Sequence, residues 1–352
     1  MKKNNKLDIL KEMIRIRLVE QYIAKHYPEQ KMRCPTHLCL GQEAVPAVFG
    51  AFADRNDVFT GTYRSHGHYL AKGGDLLSLF SEILGSSKGC SHGYGGSMHI
   101  MDEDVNFYGT SAIVGGGVPI ATGAAYAFKY RREAQVAVCF MGDGAIEEGV
   151  VYESVNFATL HDLPIVYVCE NNRLAVTTPI ELRTKNTRVF KRFDDLGLKG
   201  ISVDDTDIDK MIDVAGRAYE LTRKGKGPCF IEVSVHRWAT HVGHDYEGPA
   251  EFWYQDPHAK DALSCPIAAL VRQLINAGKI TMKDLRNLRA ERYKEIERTF
   301  KKASSFPLAA DGLFEDKVYA SGLLSKLPKK AITKTGKRSF KHKEQPKLVN
   351  PF

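Results

Sequence analysis

Two short apolar runs, each closed by a polar motif, constrain this chain more than any other feature. The first, Val136 to Met141, ends in Gly142-Asp143-Gly144. The second, Ile165 to Cys169, ends in Glu170-Asn171-Asn172. Both runs are short, β-branched or aromatic and free of charge, as a strand buried on both faces should be. Between them Gly149 to Leu160 reads as a helix, with Asp162 and Pro164 marking its exit. The pattern is a β-α-β unit, so both polar motifs fall at the carboxyl ends of parallel strands. In open α/β sheets that edge is where ligands bind.

The residue types at that edge suit a magnesium diphosphate. Asp143 offers a carboxylate oxygen and Asn172 an amide oxygen, both hard donors. Mg²⁺ takes few ligands from protein and fills the rest of its shell with phosphate oxygens and water. Gly142 and Gly144 let the backbone approach a phosphate, and a helix N-terminus just beyond favours an anion. A lone Gly-Asp-Gly is usually only a turn. Its pairing with Asn-Asn across one crossover is what makes it informative.

The spacing of Gly-Asp-Gly and Asn-Asn, with residues 145–170 between them, resembles the thiamine diphosphate signature. The wider text, over about residues 8–320, resembles the α subunit of the decarboxylating component of 2-oxo acid dehydrogenase complexes. That family includes pyruvate, branched-chain and acetoin types. The blocks that carry the resemblance are His37 to Ala44, Thr62 to Gly67, Gly95 to His99, Ala112 to Gly115, Gly142 to Glu148 and Glu170 to Arg173. The resemblance implies an α/β thiamine diphosphate-binding fold, with a mostly parallel sheet and helices on both faces.

It also implies roles for individual residues. Asp143, Asn172 and the backbone carbonyl of Leu174 would ligate Mg²⁺, while Gly144 and Ala145 would meet the diphosphate through N–H groups. Tyr63 and Arg64 match the pair that holds the diphosphate, and Arg suits phosphate through its forked donors. Ala112 and Val114 match positions that touch the cofactor rings. His37 and His66 match histidines near the substrate carboxylate and the reacting carbon, where imidazole serves near neutral pH. The loop histidine falls on His241, with His244 as the alternative. There the chain departs from the family: Thr240 stands for a glycine and Val242 for a hydroxyl residue.

The chain offers a diphosphate-type half and no second, pyrimidine-type half after residue 236. The family's activating Glu comes from a β subunit, so a heterotetramer of two α and two β chains is implied. A lipoyl acyltransferase partner and a small 2-oxo acid substrate follow from the same resemblance. An acetoin dehydrogenase-type subunit or a non-oxidative split enzyme, transketolase-like or a carboligase, is the alternative.

Composition limits the remaining classes. Hydrophobic content of 43% and charged content of 26% are ordinary for a globular protein. No apolar stretch approaches the roughly 20 residues that span a bilayer. The seven cysteines are odd in number and scattered, and several lie in apolar runs, which indicates free thiols in a reducing, cytoplasmic setting. Much of the net charge of +8 belongs to residues 321–352, a lysine-rich stretch read as a flexible tail behind a single 1–320 domain. No nucleic-acid module accompanies it. Further helices are expected over Leu7–Tyr27, Ala44–Ala53, Asp75–Leu84, Val118–Tyr130, Asp207–Lys224, Ile267–Asn276 and Thr281–Ser304. Strands are expected over Val58–Tyr63, Gly200–Val203 and Cys229–Val235, with long loops at residues 85–112, 173–193 and 236–258.

Overall fold

Side-chain alternation along the two apolar runs sets the architecture. Val136, Val138 and Phe140 enter one core, while Ala137, Cys139 and Met141 enter another. The second run divides in the same way, Val166 and Val168 against Ile165, Tyr167 and Cys169. A strand that is apolar on both faces needs a layer of helices on each side.

The structure, a computed structural model, describes residues 5–32, 34–245 and 264–309. In chain order the elements begin with α1 (Lys6–His26), α2 (Ala44–Phe52), β1 (Val58–Thr60), α3 (His66–Ala71) and α4 (Leu76–Ile83). Next come α5 (Gly117–Arg131), β2 (Ala137–Gly142), α6 (Gly149–Leu160) and β3 (Ile165–Asn171). A small antiparallel hairpin follows, β4 (Leu174–Ala175) with β5 (Thr178–Pro179), and then the short α7 (Ile180–Arg183). The described chain ends through β6 (Ile201–Asp204), α8 (Ile208–Arg223), β7 (Cys229–Ser234), α9 (Pro266–Asn276) and α10 (Met282–Ala303).

The main sheet runs β1-β2-β3-β7-β6 with every pair parallel. One core joins a face of it to α1, α2, α4, α8, α9 and α10; the other joins the opposite face to α5 and α6. Local chemistry fixes several helix starts. Asn5 caps α1, Asp75 caps α4 and Asp207 caps α8 by accepting from backbone N–H groups. Thr281 and Asp284 form a reciprocal capping box on α10. No helix among the described residues is long and apolar enough to cross a membrane.

Two expectations change. The strand from Val58 stops at Thr60 rather than Tyr63. Gly61 turns the chain so tightly that a Cβ there would lie 2.2 Å from Ser65 Oγ, and α3 starts immediately afterwards. Residues 173–193 fold as the hairpin, α7 and one 3-10 turn. The turn after β2 is a 3-10 turn from Asp143 to Glu147, and α6 starts at Gly149 as read. The glycine-rich segment 85–112 is ordered around one carboxylate. Buried Glu82 accepts from the N–H groups of Ser91, Gly93, Gly95 and Gly96 at 2.7–3.0 Å. The expected tail and residues 246–258 of the last loop lie outside the described residues.

Candidate active site

The carboxyl ends of β2 and β3 form the floor of a cavity of about 310 Å³, within the range of roughly 300–1,000 Å³ that ligand pockets occupy. Asp143, Gly144 and Ala145 line it from the turn after β2, and Glu170, Asn172 and Leu174 from the end of β3. Tyr63 and Arg64 close one side, Val114 another, and Arg237 and His241 the top. The sequence is brought to this place by the parallel register, which sets Gly142 beside Glu170.

Asp143 is 2% exposed. Burial raises its pKa, and the guanidinium of Arg183 works against that rise. Arg183 also pairs with Glu147 at 2.5 Å. The Asn172 side chain accepts from Leu174 N–H at 3.0 Å, which orients its amide at the start of the hairpin. Neighbouring Asn171 instead turns away, donating to Glu232 at 2.6 Å. Ala175 of the hairpin packs close to Gly144, since a Cβ on Gly144 would approach Ala175 Cβ to 3.1 Å.

Arg64 is 6% exposed and ties two loops together. Its Nη1 donates to the Leu38 carbonyl at 2.5 Å and its Nη2 to the His241 carbonyl at 3.3 Å. His37, Tyr63 and His241 form an aromatic triad, with centroids 4.4 Å apart for His37–Tyr63, 4.9 Å for His37–His241 and 5.5 Å for Tyr63–His241. Burial, together with the Arg64 and Arg237 charges, drives the His241 pKa down to about 4. Burial, Arg64 and neighbouring histidines drive that of His37 down to about 3. Both imidazoles are therefore neutral near pH 7. Nδ1 of each, and Nε2 of Gln42, have no hydrogen-bond partner among the described residues. Buried polar atoms without protein partners are the places where a polar ligand is bound most readily.

Not every expected residue reaches the cavity. His66 lies fully buried in α3 with both ring nitrogens engaged, by Glu20 at 2.6 Å and Ser97 at 2.8 Å. Glu20 also accepts from Cys39 N–H at 2.8 Å, so this pair braces the 37–42 segment from behind. His66 thus stands off the cavity lining, with both of its ring nitrogens engaged inside the protein. Ala112 is exposed beside the cavity, while Ser111, Ile113 and Val114 line it. His37 sits behind Tyr63 and His241 rather than on the wall. His244 stacks near Tyr27 at 5.8 Å, away from the lining, which favours His241 as the loop histidine.

Sequence reasoning did not single out Gln42, Glu170, Arg237 or Arg183. Gln42 and Glu170 stand inside motifs already quoted, and Arg237 just before the loop histidine; all three needed only the fold to aim them. Glu170 meets the buried His68 at 3.2 Å, a charge contact with poor hydrogen-bond geometry. Arg183 carries no local signal at all.

The matches to known proteins agree with this geometry. The family model described as dehydrogenase E1 component matches residues 11–310. Pyruvate dehydrogenase E1 component subunit alpha-3, chloroplastic, of Oryza sativa subsp. japonica is 34% identical over 311 residues, covering 86% of this chain and 72% of that protein. The protein of the same description from Arabidopsis thaliana is 34% identical over 324 residues, 90% of this chain and 75% of its own. Pyruvate dehydrogenase E1 component subunit alpha of Rickettsia felis is 31% identical over 309 residues, 88% of this chain and 94% of its own. With the parallel sheet and the paired strand-end motifs, these matches establish that the chain belongs to the dehydrogenase E1 component family, on its alpha-subunit side.

Proposed function

We propose that this chain, a component of a thiamine diphosphate-dependent 2-oxo acid dehydrogenase, decarboxylates pyruvate or a close 2-oxo acid together with a β subunit. The acyl group then passes to a lipoyl acceptor. The observation that carries the reading is the pairing of Asp143 and Asn172 across one cavity at the carboxyl edge of the sheet.

The donor set fits Mg²⁺ on a diphosphate. Asp143, Asn172 and the Leu174 carbonyl are all hard oxygen donors. Among the described residues no cluster of three or more His, Cys, Asp or Glu could hold a metal alone, so a cation here would draw its other ligands from phosphate and water. Gly144 and Ala145 would present backbone N–H groups, and Val114 an apolar wall. Bound thiamine diphosphate would supply the nucleophilic carbon and the electron sink for decarboxylation.

The protein's share is binding, orientation and charge. Arg64 and Arg237 place two cations on a lining that also carries Asp143, Glu147, Glu148 and Glu170, so an anionic 2-oxo acid or a diphosphate would meet its charge partners at those two arginines. Neutral His241, on the cavity wall with neutral His37 packed behind it, would serve as a hydrogen-bond donor to a substrate carboxylate or carbonyl without a like-charge conflict with those arginines. His66, with Glu20 and Ser97, acts as a positioning residue for the His37 segment.

A β partner is supported by an apolar surface on α5 and α6. Ile120, Tyr126, Tyr130, Phe157 and Leu160 are 40–81% exposed, with Tyr126 resting on Phe157 at 5.5 Å. Exposed apolar groups gathered in this way mark partner surfaces. A reducing compartment such as the cytoplasm is supported by seven cysteines, all free. The altered loop favours a second reading, transfer to an aldehyde or an acetoin-type reaction. Thr240 there is tied to Val242 and Asp245 carbonyls at 3.0–3.2 Å. The test is turnover of the assembled enzyme with pyruvate and branched-chain 2-oxo acids, using lipoylated acceptor against an aldehyde acceptor. Lipoyl-dependent turnover supports the reading; turnover with aldehyde alone replaces it with the second.

A further inference from the structure

We propose that Arg183 is a built-in counter-cation for Asp143 that a divalent ion must displace, so that metal binding, while holding β4 through the Leu174 carbonyl, releases the β5–α7 side of the hairpin. The inference rests on the reading of Asp143 as a metal ligand. It adds a residue that no motif marks and a coupling between the metal and the loop.

Arg183 ends α7 within a segment that faces solvent. Its neighbour Leu182 is 78% exposed, yet the Arg183 side chain is only 8% exposed. All three guanidinium nitrogens are engaged. Nη2 donates to Asp143 Oδ2, Nη1 to Glu147 Oε1 at 2.5 Å and Nε to the Thr178 carbonyl at 3.2 Å. One side chain thus joins the turn after β2 to the last strand of the hairpin. The forked, permanently charged guanidinium suits that job better than an ammonium would.

The hairpin it holds is strained. Val176, at its tip, has φ +56°, a region that β-branched residues rarely adopt. Its carbonyl accepts from Arg237 Nη1 at 2.9 Å, and Ala175 is pressed against Gly144. Two arginines therefore clamp a strained turn over the residues that would meet the diphosphate. A buried carboxylate needs a cation, and Arg183 meets that need where a metal would otherwise sit. Two cations at one carboxylate edge repel strongly in a site of low dielectric. Entry of a divalent ion transfers Asp143 from Arg183 to the metal. Arg183 keeps Glu147, whose side chain is 32% exposed, and its hold on the Thr178 strand loosens.

The experiment uses the chain assembled with its β subunit, as wild type, Arg183→Gln and Arg183→Lys. Mn²⁺ stands in for Mg²⁺ and is titrated by electron paramagnetic resonance at saturating thiamine diphosphate. Backbone hydrogen exchange over residues 178–183, the side of the hairpin that Arg183 holds, is followed without and with the metal. The proposal expects Arg183→Gln to bind Mn²⁺ about tenfold tighter, because the competing cation is gone. It expects Arg183→Lys to fall between Arg183→Gln and wild type. It also expects metal-free Arg183→Gln to exchange its hairpin as fast as metal-bound wild type. Equal or weaker Mn²⁺ binding in Arg183→Gln overturns the proposal. If that variant does not fold, wild-type hairpin exchange decides alone, and exchange that Mn²⁺ leaves unchanged or slows overturns it. Wild type that binds neither Mn²⁺ nor thiamine diphosphate fails the cofactor reading itself, a separate result.

Discussion

His37 and His241 show what burial beside two arginines does to a titratable ring. Their pKa values in the fold, about 3 and about 4, lie below the ordinary 6.5. Between 6.5 and those values the unfolded chain binds protons that the folded chain refuses. The contribution of these rings to stability is therefore complete above about pH 6.5 and is lost as pH falls toward 4. Urea unfolding at about pH 7.5 and about pH 5 should show a lower midpoint at the acid value. The His37→Gln, His241→Gln double variant should flatten that difference, whereas an undiminished slope would contradict the assignment. At this scale the sequence was a partial guide. Asp143, Asn172 and His241 were legible because a motif fixes both residue type and place. The setting of His66 was not legible, since a motif does not say that Glu20 and Ser97 occupy both nitrogens. Arg183 was illegible, because its partners lie 36 and 40 residues away and meet it only after the hairpin forms.

At the scale of elements, the segments that carry the histidines are held together by close packing and buried charge. A Cβ on Gly41 would lie 2.2 Å from the His236 carbonyl, so only glycine lets the 37–42 segment meet the 236–243 loop. Directly beneath, fully buried Arg17 of α1 grips Glu43 at 2.5 and 2.6 Å, with its guanidinium 4.5 Å from the Trp238 ring. Glu43 also accepts from Gly41 N–H at 3.0 Å. Glu43→Gln would remove the carboxylate charge that two Arg17 nitrogens grip, and should cost about 3–5 kcal/mol in urea or thermal unfolding. A loss under about 1 kcal/mol would show that the pair is dispensable. Helices and strands were the most legible part of the chain, since periodicity and caps are local; α6 runs over Gly149–Leu160 as read. The turns were less so, because α3 and the hairpin depend on contacts with distant loops.

At the scale of the whole molecule, five parallel strands between two helical layers place every strand-end motif on one edge. That layout was readable from a single β-α-β unit, because apolar runs with no polar face require cover on both sides. The apolar surface of α5 and α6 was only half readable: small residues such as Ala121, Gly123 and Ala124 allow close packing on the sheet or on a partner subunit, but do not say that Ile120, Tyr126 and Tyr130 face outward. Tyr126→Glu with Leu160→Glu should weaken assembly with the β subunit, shifting the complex toward free chains in size-exclusion chromatography. An unchanged elution profile would put the partner surface elsewhere.

On the proposed function, the cavity at the ends of β2 and β3 holds thiamine diphosphate through Mg²⁺ on Asp143 and Asn172. Calorimetric titration of thiamine diphosphate into the assembled enzyme, with and without Mg²⁺, decides this. The prediction is Mg²⁺-dependent binding in wild type and its loss in Asp143→Ala and Asn172→Ala, with thermal unfolding of both variants close to wild type. Mg²⁺-dependent binding that survives in well-folded Asp143→Ala would contradict the account.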